Sequence, residues 1–136
     1  MFTEGFLKEI ESAFQIQMER VKNKRQEVEE CLASCSQDEA EALKCLYASM
    51  PVSDAADYPA SLYLGYARHG VFLWEKGPFA GKIPEKIFAG YVLSHRVNNE
   101  DLTDCRNFFY EKLKDRVSGD DMQASILAVN YWCGSE

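Results

Sequence analysis

The side chains with most chemical reach in this chain are five cysteines, Cys31, Cys35, Cys45, Cys105 and Cys133, and two histidines, His69 and His95. A cysteine nucleophile needs an imidazole within hydrogen-bond reach and a third group that orients the imidazole. Cys105 and His95 are the nearest such pair in sequence. Cys105 falls near the start of a predicted helix, where the helix dipole lowers a thiol pKa, whereas His95 falls before a turn. The pair is the one candidate for thiol catalysis within the chain. Cys31 and Cys35 share a helix face at i,i+4 but have no CxxC spacing and no nearby histidine, so no metal and no cofactor are expected. The odd cysteine count and its apolar surroundings predict reduced, buried thiols.

The remaining motifs point to structure. Asp54 with Asp57, and Asp120 with Asp121, occupy turns and helix starts, where carboxylates satisfy free N–H groups and the helix dipole. Gly77 to Gly81 lacks the lysine and hydroxyl that would hold phosphate and magnesium. Fifteen basic against twenty-two acidic residues leave a net charge of -7, which argues against nucleic acid and anionic lipid as partners. The one basic cluster, Arg20, Lys22, Lys24 and Arg25, is flanked by Glu19, Glu27, Glu29 and Glu30. The first residues form no export signal, and no window is apolar enough to span a bilayer, so a cytoplasmic protein is expected.

The elements that would position these groups are helices, and the expected fold is an all-α irregular bundle of five to six helices in one domain. The first 35 residues lack proline, and a heptad register aligns Leu7, Phe14, Val21, Val28 and Cys35, with Glu11, Met18, Arg25 and Leu32 as the companion row. This predicts one long amphipathic helix over 1–35 that faces the core. Ser36 to Glu39 fits a capping box opening a second helix, which Pro51 should end near Ser49. Ser53 to Pro59 reads as a turn or short 3₁₀ segment, and Pro59 opens a third helix to about Lys76. Gly77 to Gly81 forms a loop, and Pro84 opens a short helix. Asn98 and Asn99 mark a turn, Asp101 or Thr103 caps the next helix, and Ser118 and Gly119 stop it. A last helix from about Asp121 carries Met122, Ile126, Val129 and Trp132 as an apolar stripe.

Several segments resemble those of a known family in order and spacing: Leu43 to Pro51, Ser53 and Asp54 with Asp57 to Pro59, Ile83 to Phe88, Arg96 to Glu100, and Ala128 to Cys133. From about Ala42 onward the chain resembles the helical N-terminal region of bacterial transglutaminase-like proteins, thiol hydrolases with a Cys-His-Asp site. In that family the three catalytic residues follow this region. The resemblance therefore implies a non-catalytic helical domain, cut before the catalytic core, that packs beside the core and shapes access to its cleft. Cys133 follows Trp132, the reverse of the family's order, and leaves no room for a later histidine and aspartate. The polar cluster Arg96, Asn98, Asn99 and Glu100 is expected to contact the core. Ile126, Val129 and Trp132 would lie against it, or would pair two copies of the isolated chain as a homodimer. A free-standing helical protein-interaction module that uses the first helix is the alternative.

Overall fold

The structure, a computed structural model, describes residues 1–94, 106–116, 122, 123 and 125. Among these residues the fold is all-α, with no strand. Helix α1 (Glu4–Arg20) begins at Thr3, whose hydroxyl accepts from the Phe6 N–H at 3.4 Å. The expected single helix over 1–35 is interrupted: Val21 leaves helical geometry at φ -122°, ψ 55°, a 3₁₀ turn spans Lys22–Lys24, and α2 runs from Arg25 to Ala33. The break follows from what each half packs on, since α1 lies on α3 (Gln37–Ser49) and α2 lies mainly on α5 (Ala60–Lys76). One straight rod cannot follow both partners, because a seven-residue seam drifts by roughly 20° per repeat on an ideal helix. The seam itself is buried at Phe14, Val21 and Val28. Of the expected companion row Met18 is buried and Glu11, Arg25 and Leu32 are half-buried, and Ile10 and Gln17 add buried positions on the other side of the seam.

Arg25 ties the corner, its guanidinium donating to Gln15 and Glu19 of α1 and to Glu29 of α2 at 3.2–3.4 Å. Lys22 and Lys24 pair with Glu19 and Glu27, so the basic cluster is neutralised locally as expected. These exposed pairs each contribute well under about 1 kcal/mol.

Helix α3 is the central element, with Ala42, Leu43, Leu46 and Tyr47 at most 1% exposed between α1 and α5. It starts as predicted: the Ser36 hydroxyl accepts from the Glu39 N–H at 3.2 Å and the Glu39 carboxylate accepts from the Ser36 N–H at 3.0 Å. It ends as predicted at Ser49, ahead of Pro51. In a continuing helix the Tyr47 carbonyl would accept from the amide of residue 51, but proline has no N–H. The buried Gln17 amide takes that place, donating to Tyr47 O at 3.0 Å and to Met50 O at 2.7 Å. Edge-to-face rings continue the link across the bundle, from Phe14 to Tyr47 and from Tyr47 to Tyr63, with centroids 6.5 and 5.3 Å apart.

The Ser53 to Pro59 segment is more ordered than a turn. Val52–Asp57 form the α-helix α4, with Asp54 in its first turn, where its carboxylate suits the dipole. The Tyr63 hydroxyl donates to the Asp54 carbonyl at 2.8 Å and holds α4 against α5. Pro59 is the N-cap residue of α5 and brings no side-chain acceptor, so Glu27 reaches over from α2 to accept from the Ala60 N–H at 2.5 Å.

Helix α5 runs through both Gly65 and Gly70. Gly70 lets Leu93 approach closely: a Cβ there would lie 2.6 Å from Leu93 Cδ1 and would push that side chain aside. Leu93 ends a π-helical turn, Phe88–Val92, that continues α6 (Glu85–Ile87), and its N–H donates to Phe88 O at 2.8 Å. The loop between α5 and α6 contains Gly81 at φ 77°, a left-handed conformation that glycine adopts without strain. Helix α7 (Arg106–Leu113) and a 3₁₀ turn (Lys114–Arg116) follow. The predicted turn at Asn98 and Asn99, the caps at Asp101 or Thr103, and the stop at Ser118 and Gly119 lie outside the described residues.

Replacing Gln17 by leucine keeps the buried volume but strands the Tyr47 and Met50 carbonyls. We predict a loss of about 2 kcal/mol in urea unfolding with an unchanged m-value. A loss below about 0.5 kcal/mol would show that the two carbonyls find other donors.

Candidate functional site

The thiols of the described residues are built into the bundle. Cys45 is buried on α3, and burial pushes its thiol up to about 11. Cys31 and Cys35 lie half-buried at the end of α2 and just beyond it. Burial raises both, and the negative charges of Glu27 near Cys31 and of Glu39 near Cys35 raise them further. The Cys35 thiol donates to the Leu32 carbonyl at 3.5 Å. These three groups are held as neutral thiols, the opposite of an activated nucleophile.

His69 sits on α5 within an aromatic cluster, stacked on Phe72 at 6.4 Å and meeting the edge of Tyr110 of α7 at 5.6 Å. Among the described residues no three His, Cys, Asp or Glu side chains converge in a way that could hold a metal ion. No helix among them is long and apolar enough to cross a membrane. His95, Cys105 and Cys133 lie outside the described residues, as do Arg96, Asn98, Asn99 and Glu100 of the expected core contact. Ile126, Val129 and Trp132 of the expected interface do so too. Of that stripe only Met122 is described, and it is exposed.

The described residues line two concavities of note. A groove of about 430 Å³ runs between α1 and α3 over Leu7, Ile10 and Leu32. Its rim charges are matched, Lys44 donating to Glu11 at 2.9 Å and holding that carboxyl below its usual range. The second, about 190 Å³, lies behind the α5–α6 loop and is walled by Leu73, Trp74, Phe79, Ile83, Phe88 and Val92.

Three polar side chains that position the elements were not expected from the sequence: Gln17, Glu27 and Glu85. Glu85 accepts from the Thr3 N–H and hydroxyl, both at 2.8 Å, and so pins α6 to the start of α1. Those bonds lower its pKa. For Gln17 a signal was present, a lone amide between Phe14 and Val21 in an apolar row. Glu27 and Glu85 look like any surface acid until the chain is folded.

No protein-family model matches the chain, and neither a curated protein nor a solved structure matches it significantly.

The neutral thiols give a pH-dependent prediction. Because Cys31 and Cys35 titrate above the usual thiol range, their alkylation by iodoacetamide, followed by peptide mass spectrometry, should still rise at least about fivefold between about pH 8 and pH 9. Cys45 should label only when the bundle unfolds. A plateau below about pH 8 at any of the three would reveal an activated thiolate and contradict this description.

Proposed function

We propose that the chain is the non-catalytic helical N-terminal domain of a transglutaminase-like cysteine hydrolase, a protease or amidase, packing beside the catalytic core and shaping access to its cleft. The observation that carries this reading is where the resembling segments fall. Leu43 to Pro51 cover the second half of α3, and Ser53, Asp54 and Asp57 lie on α4; these segments supply Leu43, Leu46, Tyr47 and Met50 to the buried centre. Ile83 to Phe88 covers α6 and supplies the buried Phe88. Among the described residues, the resembling segments include side chains that build a scaffold. Neutral, structurally used thiols at Cys31, Cys35 and Cys45 fit the same role.

In this reading Arg96, Asn98, Asn99 and Glu100 face the core, and the stripe of Ile126, Val129 and Trp132 leads into it. The interaction-module alternative relies on the N-terminal helix, but that segment turns its apolar seam onto its own bundle. Ile16 is the large hydrophobic residue it leaves exposed.

The coding frame beyond Glu136 tests the reading directly. A following cysteine, histidine and aspartate core is expected, and a stop codon contradicts it. The purified chain should also be inert toward peptide and glutamine-amide substrates, since a thiol without a base and an oxyanion site removes little of the barrier. Turnover that is abolished by alkylating one cysteine would instead make the chain itself the enzyme.

A further inference from the structure

We propose that the cavity behind the loop joining α5 to α6 is a binding site for a small, uncharged aromatic molecule of one or two rings. The inference is independent of the proposed hydrolase relationship. Its walls are the rings of Trp74, Phe79 and Phe88 and the aliphatic side chains of Leu73, Ile83 and Val92, and no charged side chain lines it. Trp74 and Phe88 already meet edge to face at 4.9 Å, with their planes 66° apart, and the half-buried Trp74 and Phe79 are the rings with surface left for a third in the same mode.

Size and polarity select the occupant. At about 190 Å³ the space is larger than one water needs, yet its walls offer almost no hydrogen-bond partners. A water requires two to four polar partners, which these walls do not supply. An apolar ring seated on them gains dispersion contacts and displaces only water that the walls bond weakly. A carboxylate or ammonium would lose its hydration there without a counter-charge.

The frame around the cavity holds it open. Phe88 is 1% exposed and fixed by the π-helical turn, whose Leu93 side chain packs on Gly70. At the other end, a Cβ on Gly77 would lie 2.5 Å from the Leu73 carbonyl oxygen, so the loop leaves α5 at a point where only glycine fits. The loop end of the cavity is therefore set by backbone geometry at Gly77.

Titration of the full chain with indole, with benzene and with benzoate as the charged control tests the proposal. Binding would be read from thermal unfolding and from NMR contacts between ligand protons and the Trp74 and Phe88 rings. Indole or benzene should raise the unfolding temperature and show contacts to both rings, while benzoate does neither. The filled variants Ile83→Trp and Val92→Phe should each weaken indole binding by about tenfold or more. Contacts in the unmodified chain decide the matter if either variant fails to fold. No shift up to the solubility limit, binding of benzoate equal to that of benzene, or contacts that omit both rings would overturn the proposal.

Discussion

Pro51 has no N–H to offer, and the bundle depends on how that deficit is met. Helix α3 lies between α1 and α5, so the inner side of its end, at Leu46, Tyr47 and Met50, is buried while its Tyr47 carbonyl has lost the donor that a continuing helix would provide. The two hydrogens of the Gln17 amide supply one bond to Tyr47 and one to Met50. This clasp fixes the register of α1 on α3. It also requires a polar residue inside the apolar seam, whose own oxygen, like the Tyr47 hydroxyl, is left without a partner. Two orphaned buried acceptors would cost more than one orphaned amide oxygen, so the arrangement is a net stabilisation.

Several other polar contacts between elements follow the same pattern. A helix whose local sequence cannot satisfy its end borrows a side chain from a neighbour. Pro59 brings no capping oxygen to α5, and Glu27 of α2 supplies one. Glu85 of α6 accepts from Thr3 at the start of α1. The Asp54 carbonyl of α4 accepts from Tyr63 of α5. The Glu27 and Glu85 bonds join elements distant in sequence, and the Tyr63 bond joins consecutive helices, so the ends of the helices contribute to how the bundle closes. The thiols have no part in this network beyond filling space, which matches their raised pKa values.

The features legible in the sequence were those with local causes. The capping box at Ser36, the stop at Pro51, the loop at Gly77 to Gly81 and the helix after Pro84 all depend on residues within one turn of the event, and each is found where expected. The break at Val21 was hidden because Lys22 to Lys24 contain neither glycine nor proline, and the cause is that α1 and α2 pack on different partners. The helix at Val52–Asp57 was under-read for a similar reason, since Tyr63 and the burial of Asp54 and Ala55 stabilise a segment too short to hold alone. The candidate site was least legible. The burial of Cys45 follows from its apolar surroundings, as expected, whereas the packing of His69 on Tyr110 joins elements far apart in the chain and is not carried by sequence spacing.

The central claim is that α3, clasped at its end by Gln17, is the element on which the rest of the bundle is built. Native-state hydrogen exchange measures this directly, because amides exchange either through local opening or only through global unfolding. The amides from Ala42 to Met50 should be the slowest in the chain. Their opening energies should equal the global unfolding free energy and carry its full denaturant dependence, while those of α6 and the π-helical turn open earlier. Exchange in α3 that is faster than in α6, or that is insensitive to denaturant, would contradict the account.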